Sequence, residues 1–180
     1  MQFLDAVKRE VHGLIEAGAF EVVDELQRIE SCIGSKFIFD WKVDAFGFAT
    51  KAKAGLVARG DMQREFLDFA DLYAPTVATS SARLLAAFAN EYDLELCHFD
   101  VDQTFVRADL KDDVFMRLPE GCGALSGKIV ALNKGFYGLR QASRQWYAML
   151  KKCLLTLGFE QCLADSCVFF IRGGITGWYQ

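Results

Sequence analysis

The first eighteen residues have the spacing of an amphipathic helix. Their apolar positions follow a helical period, and Gly18 stands where a helix commonly ends. The apolar positions are Phe3, Leu4, Val7, Val11, Leu14 and Ile15. The stretch 36–43 is aromatic and β-branched, a glycine lies in the turn 44–48, and 52–58 has the composition of a return strand. The pattern predicts a helix followed by a β-hairpin.

The middle of the chain predicts a helix and then a short strand. Ser80 or Ser81 is a suitable N-cap for a helix over 80–92. The apolar face of that helix is formed by Leu84, Leu85 and Phe88. The stretch 95–101 is short and mostly apolar, which predicts a partly buried strand that ends near Asp100.

The rest of the chain predicts two further short strands, a long helix and a last strand. The strands cover 114–118 and 129–132, the helix covers 143–157 with Gly158 as its stop, and the last strand covers 168–171. The apolar stripe of the helix is Trp146, Leu150, Cys153, Leu154 and Leu157. Helices and strands interleave without strict alternation, which predicts an α+β fold.

Composition indicates one soluble domain over residues 1–180. The chain is 52% hydrophobic, and no apolar run reaches the roughly 18 residues that cross a bilayer. Because the first residues also lack the basic and apolar regions of a secretion signal, we expect an intracellular protein with no membrane segment. The six cysteines form no Cys-x2-Cys pair, which favours reduced thiols over a zinc site.

Charge is separated along the sequence. The net charge is −4, yet 91–120 contains nine acidic and three basic residues, and 121–159 contains six basic residues and no acidic one. An acidic segment that could hold a divalent metal, followed by a basic segment that could hold phosphates, suits an enzyme that handles polyphosphates. Solvated surface charge is the alternative interpretation of the same pattern.

The stretch 99–105 contains the most informative candidate chemistry. It places Asp100 at the end of the predicted strand and the ring of Phe105 shortly after it. A carboxylate at a strand end can ligate Mg²⁺, and the turn that follows brings the ring towards the same place. Asp at a strand end is also common as a turn or cap residue, so the motif alone leaves both interpretations open.

At this point the sequence resembles the reverse transcriptases of Ty1/copia retroelements over nearly its whole length. The family's Lys-Ala-Arg-Leu-Val-Ala-Arg-Gly element corresponds to 53–60, and Gln63 follows at the family spacing. The family's Phe-Ala-Pro-Val and Ser-Ile-Arg-Leu-Leu elements correspond to 73–77 and 81–85. The stretch 137–147 is similar, almost residue for residue, to Tyr-Gly-Leu-Lys-Gln-Ala-Pro-Arg-Gln-Trp-Tyr. These matches occur in the family's order and at its spacings.

The resemblance implies a catalytic metal site and a nucleotide site. Asp100 would be the first metal-binding carboxylate of the catalytic triad, with Mg²⁺, or Mn²⁺, as cofactor. Phe105 would be the steric gate that excludes a ribose 2′-hydroxyl, with core packing as the alternative. Lys53 and Arg59 would meet the triphosphate or the template from the fingers strands, with exposed surface cations as the alternative. Gly138 would let the backbone approach the template–nucleotide pair closely.

The resemblance also implies a nucleic-acid surface formed by Arg140, Gln141 and Arg144, in which the guanidinium groups of the two arginines suit phosphate. The sequence departs from the family at several positions. Gly55 replaces an arginine, and other substitutions occur at Thr104, Arg107, Ala108 and Ser143. The family's Tyr-Val-Asp-Asp hairpin, which carries the other two metal-binding carboxylates, is expected after 168–171 and is absent from 173–180.

We therefore expect the fingers and a partial palm of a right-hand polymerase, truncated before the Tyr-Val-Asp-Asp hairpin. In the complete protein it would be an RNA-directed DNA polymerase of a Ty1/copia element, using two-metal phosphoryl transfer. Its partners would be an RNA template, a DNA primer, dNTPs and the other segments of a Pol polyprotein. The resemblance implies a cytoplasmic particle or the nucleus as its location. The alternative is a non-catalytic remnant that acts as a weak nucleic-acid-binding or interaction module.

Overall fold

The computed structural model of the chain describes residues 2–23, 31–64 and 72–171, together with the backbone of 177–178. Two compact units divide the chain. The first unit comprises 1–72 and 103–145, and the second comprises 73–102 and 146–180.

The first unit opens with helix α1, Gln2–Glu16, as the apolar spacing predicts. One face of α1 is buried through Ala6, Val7, Val11 and Leu14. The helix ends in a Schellman arrangement, because Gly18 has a φ of 62° and the Ala19 amide donates to the Leu14 carbonyl at 3.0 Å. That turn leads into strand β1, Phe20–Val22, a three-residue strand that the pattern did not predict.

The predicted hairpin is confirmed as strands β2, Ser35–Val43, and β3, Ala49–Ala58. Its turn is held by the Asp44 carboxylate, whose Oδ1 accepts hydrogen bonds from the amides of Phe46 and Phe48, each at 2.9 Å. The inner face packs on α1. Its buried side chains on β3 are Ala52, Ala54, Leu56 and Ala58.

A three-stranded antiparallel sheet completes the first unit. Strand β4, Phe115–Arg117, and strand β5, Ile129–Leu132, lie where the pattern predicts strands, and the sheet order is β1-β5-β4. Met116 and Val130 in this sheet are fully buried. They belong to one apolar core that also includes the buried face of α1 and the inner face of the hairpin.

The second unit contains two helices and a small sheet. Helix α2 is Thr79–Glu91, and helix α3 is Ala142–Thr156, whose first four residues belong to the first unit. The sheet has the order β6-β7-β8, formed by Glu160–Gln161, Phe169–Phe170 and Gly177–Trp178. The predicted strand 168–171 is therefore present in shortened form. Apolar side chains of this unit, among them Leu150, Leu154 and Phe169, line an open cleft of about 300 Å³.

The predicted serine cap of α2 is wrong. The N-cap is Ala78, which has no side-chain cap hydrogen bond, and the Asp165 Oδ2 accepts from the amide of this N-cap residue at 2.9 Å. Hydrogen bonds from Ser81 and from the amides of Ala78 and Cys167 hold the pKa of Asp165 below its usual value. The face of α2 that includes Leu84 and Phe88 is exposed.

The predicted strand over 95–101 is also wrong. These residues are described, and none of them belongs to a strand, so Asp100 does not stand at a strand end. A strand needs a neighbouring strand for its backbone groups, and the pairings among the described strands do not include this stretch. Leu96 and Phe99 are more than half exposed.

Helices and small antiparallel sheets in these proportions agree with the predicted α+β class. None of the described helices is long and apolar enough to span a bilayer.

Candidate nucleic-acid interface

The segment 137–141 lies against the end of β3. The Ala58 amide donates to the Tyr137 carbonyl at 2.7 Å. Gly138 has a φ of 89°, and a Cβ placed there would lie 2.1 Å from the Ala58 carbonyl oxygen. No side chain fits at that distance, so glycine is required both for the backbone conformation and for the close approach.

Gly60 makes the same approach from the other side. A Cβ on Gly60 would lie 2.0 Å from the Gly138 carbonyl oxygen. The Arg140 side chain reaches back to this place, because its Nε donates to the Gly60 carbonyl at 2.9 Å. The two backbone segments are therefore in direct contact. Arg140, which is exposed, lies where they meet.

Two buried glutamines join the same segments. Gln63 is 6% exposed and Gln141 is 1% exposed, and they are the buried polar residues of the described chain. The Gln63 Nε2 donates to the Gln141 Oε1 at 3.0 Å, and the Gln63 Oε1 accepts from the Arg140 amide at 2.9 Å. The Gln141 Nε2 donates to the Asp112 Oδ2 at 3.2 Å. At this burial Gln141 is not placed to touch a bound nucleic acid, which the family resemblance had suggested for it.

A short 3₁₀ helix, Thr104–Arg107, brings Phe105 to the contact between 137–141 and the end of β3, which is called the interface below. Its ring meets the ring of Tyr137 edge to face, with centroids 4.8 Å apart and an interplanar angle of 72°. Phe105 also packs in part against the core of the first unit, while Tyr137 is 41% exposed. The core-packing interpretation of Phe105 therefore holds in part, and the steric-gate role stays a prediction.

Arg59 stands next to the interface with a partner of its own. Its Nη2 lies 2.7 Å from the Asp61 Oδ2, and both side chains are about half exposed or more. The hydrogen bond and charge of Arg59 hold the pKa of Asp61 below its ordinary range. In this structure the guanidinium therefore contacts a carboxylate, and a phosphate would have to displace that carboxylate.

Lys53 lies on the exposed outer face of the hairpin, opposite Asp40. Directly opposite residues share a face, so this face also presents Lys36, Lys42 and Lys51. Lys53 precedes Ala58 by five residues, on the order of 16 Å along a strand. The strand therefore connects Lys53 to the interface without bringing it into the same contact.

Arg144 lies in the first turn of α3 and is exposed. It belongs to the first unit with Phe105, Tyr137, Gly138 and Arg140.

Asp100 belongs to the second unit and is exposed within the stretch that replaces the predicted strand. Within 2–23, 31–64 and 72–171, no group of three or more His, Cys, Asp or Glu side chains could hold a metal ion. The described residues therefore do not form a two-metal site around Asp100, and no chemical step through a metal follows from them.

Several residues of the interface were not assigned a role from the sequence. Tyr137, Gly60 and Gln63 lie within the motifs that carry the family resemblance, so the motifs did contain a signal for them. Asp112 lies outside those motifs, and only the folded chain relates it to Gln141.

The comparisons agree with this arrangement of motifs. The family model described as reverse transcriptase (RNA-dependent DNA polymerase) matches residues 18–177. The chain therefore belongs to the reverse transcriptase family. Its curated relatives place it, more narrowly, with the Pol polyproteins of Ty1/copia-type retrotransposons, as the sequence motifs predicted.

Three relatives illustrate the likeness. The chain is 32% identical over 173 residues to the retrovirus-related Pol polyprotein from transposon TNT 1-94 of Nicotiana tabacum, covering 95% of this chain and 13% of that protein. It is 31% identical over 172 residues to that from transposon RE1 of Arabidopsis thaliana, covering 94% and 12%. It is 28% identical over 173 residues to the transposon Ty1-DR4 Gag-Pol polyprotein of Saccharomyces cerevisiae, covering 93% and 10%.

The chain thus spans about an eighth of the length of the first two of these relatives. No solved structure matches it.

Proposed function

We propose that the chain contributes the fingers and the N-terminal part of the palm to an RNA-directed DNA polymerase of a Ty1/copia element. The observation that carries this proposal is the close contact between 137–141 and the end of β3, beside Phe105. That contact gathers an aromatic ring, a side-chain-free backbone and a cation on one surface of the first unit. These are the groups that a polymerase needs at a base pair, a sugar and a phosphate.

Each residue of this surface has a proposed role. The edge of Phe105 limits the space at the sugar 2′ position, and Tyr137 supports that ring. Gly138 allows a base pair to approach the backbone, since it carries no Cβ. Arg140 and Arg144 bind phosphates of the nucleic acid. Gln141, being buried, holds the loop in place.

Lys53 and Arg59 are proposed to meet the triphosphate or the template from the hairpin side. Lys53 does so from the basic outer face of β2 and β3. Arg59 does so only when it leaves Asp61.

Asp100 is proposed as one carboxylate of a metal site that the complete protein would form. Mg²⁺, or Mn²⁺, is the cofactor proposed from the family resemblance. The proposed partners are an RNA template, a DNA primer, dNTPs and the other segments of a Pol polyprotein, in a cytoplasmic particle or the nucleus.

Binding of a fluorescent primer–template duplex tests the interface. The double charge reversal Arg140→Glu with Arg144→Glu is expected to weaken binding at least tenfold for all sequences alike. It should also reduce the slope of log K against log salt by about 2, because two phosphate contacts are lost. The matched control is Lys8→Glu with Lys111→Glu, which makes the same charge change at exposed positions of the same unit outside the interface.

Equal losses in both double variants would contradict the proposed surface. Binding without catalysis in a longer Pol protein, unchanged by Asp100→Asn, would instead favour the alternative of a non-catalytic nucleic-acid-binding module.

A further inference from the structure

A continuous series of buried and partly buried hydrogen bonds runs through the first unit towards Arg140. It begins at Asp112 Oδ2, which accepts from Gln141 Nε2 at 3.2 Å. Gln141 Oε1 accepts from Gln63 Nε2 at 3.0 Å, and Gln63 Oε1 accepts from the Arg140 amide at 2.9 Å. The Arg140 side chain then donates to the Gly60 carbonyl. The series joins residues that are as many as 80 positions apart in the sequence.

The series has a direction that its two ends impose. Carboxylate oxygens accept hydrogen bonds, and a backbone amide donates. Gln141 must therefore turn its NH₂ group towards Asp112, which leaves its oxygen for Gln63. Gln63 must in turn offer its NH₂ group to Gln141, which leaves its oxygen for the Arg140 amide. With these partners, each glutamine amide pairs correctly in one orientation. That orientation is set by Asp112 and the Arg140 amide at the two ends of the series.

Gln145 adds a second sign of this direction. Its Nε2 lies 3.4 Å from the same Asp112 Oδ2, and its Oε1 is buried without a partner among the described residues. An unpartnered buried carbonyl costs free energy. The NH₂ groups of Gln141 and Gln145 therefore both face the Asp112 carboxylate, although this leaves the Gln145 oxygen without a partner among the described residues.

We propose that Gln63 and Asp112 are positioning residues that set the backbone and side chain of Arg140 for a nucleic-acid phosphate. Asp112 fixes the orientation of both amides from outside the interface, and Gln63 transmits that orientation to the Arg140 amide. This inference rests on the proposed function of Arg140. It extends that function to two residues to which the family resemblance assigned no role.

The test reverses the direction of the series. In Gln63→Glu, the new carboxylate faces the Gln141 oxygen. If Gln141 turns over, its oxygen faces Asp112 instead, so two acceptors meet in either orientation. We expect Tm to fall by about 5 °C and Kd for a primer–template duplex to rise about tenfold, as an unsatisfied buried polar group implies. Gln2→Glu makes the same charge change at an exposed position and should leave both unchanged.

A second substitution should restore the series. Asp112→Asn alone should have little effect, since the asparagine oxygen can replace the carboxylate oxygen. Combined with Gln63→Glu, the asparagine NH₂ group can donate to the inverted Gln141 and also to the oxygen of Gln145. The introduced carboxylate would then be paired, because Gln141 and the Arg140 amide both donate to it. The double variant should therefore bind at least threefold more tightly than Gln63→Glu, and its Tm should rise.

The outcomes separate the two ideas. If the effects of Gln63→Glu and Asp112→Asn simply add, or if Gln63→Glu behaves as Gln2→Glu does, the directed series is refuted. If the Arg140 and Arg144 reversal leaves nucleic-acid binding unchanged, the proposed function fails. The recovery of Tm in the double variant still decides the hydrogen-bond series in that case.

Discussion

Gly138 shows how a single residue without a side chain shapes the interface. Its φ of 89° lies in the region that favours glycine, and its neighbour across the contact is a backbone carbonyl that no rotamer change can move. Gly47, in the hairpin turn of the same unit, has a φ of 86° with no atom within 4 Å of its Cβ position. The two glycines share a backbone conformation and differ in their surroundings.

That difference predicts unequal costs for the same substitution. Gly47→Ala should lower the free energy of unfolding by about 1–2 kcal/mol, from the conformation alone. Gly138→Ala should lower it by about 3–5 kcal/mol, because the methyl group also forces 137–141 away from β3. Urea denaturation of both variants measures the two values. Similar losses would mean that the close approach does not constrain position 138.

Asp61 is a second residue with a testable effect, because it competes for Arg59. Asp61→Asn should tighten nucleic-acid binding two- to threefold and raise the salt slope by about 0.9, as expected for one added phosphate contact. Glu21→Gln is the control, since it removes one exposed negative charge of the same unit. If both variants gain equally, Arg59 makes no specific contribution.

The pH dependence of this competition follows from the lowered pKa of Asp61. The folded pKa lies below the ordinary value of 3.8, so the ion pair is present above that pH and is lost as the pH falls through the lowered pKa. At neutral pH the advantage of Asp61→Asn should therefore be constant, and it should vanish in strong acid.

For single residues, the sequence indicated which positions belong to a motif better than it indicated their burial and contacts. Gly138 and Arg140 lie together at the contact with the end of β3, and their roles stay predictions. Gln141 is a polar residue within a motif, and such residues usually lie at the surface, yet it is 1% exposed. Its burial depends on Gln63 and Asp112, which are distant in sequence, so no local pattern could indicate it.

Among the elements, the hairpin of β2 and β3 was the most predictable. A turn glycine and β-branched or aromatic residues are local signals, and they predicted both strands to within a few residues. The strand over 95–101, which was predicted from a short and mostly apolar stretch, did not form. A strand is completed by its neighbour, and the sequence of one stretch does not contain that information.

The outer face of the hairpin gives a prediction at the same scale. Gly55 lies opposite Ile38 with no atom within 4 Å of its Cβ position, at the place where the family has an arginine. Gly55→Arg should fit without displacement, stabilise the strand by up to about 1 kcal/mol, and tighten nucleic-acid binding about threefold.

Gly55→Gln separates the two effects, since it fills the strand without adding charge. It should reproduce the gain in the free energy of unfolding and leave Kd unchanged. A lower Kd for the glutamine variant would show that conformational ordering of the strand, and not the added charge, controls binding.

For the whole molecule, the main contrast is between the cores of the two units. The apolar core of the first unit draws on α1, the hairpin and the three-stranded sheet. Among its described residues, the second unit buries only five apolar side chains, namely Ala89, Trp146, Phe159, Cys167 and Phe169. Stability follows buried apolar area, so the two units should differ in local stability.

Hydrogen exchange at increasing urea concentrations tests this contrast. Amides of β2, β3 and β5 should keep their protection to higher urea than amides of α2 and β7. A single shared dependence on urea for all of these amides would show that the chain unfolds as one cooperative unit.

The contact between Gly60 and Gly138 also bears on how such a chain accumulates mutations. Each position excludes every side chain because of backbone at the other segment, so neither can change first and wait for the other to compensate. A copy of this sequence released from selection for its proposed function, yet still required to fold, would keep both glycines. Their presence in a genomic copy therefore reports that the protein folds. Under the proposed function, the state of Asp100, which is exposed and outside the core, would report separately on selection for synthesis.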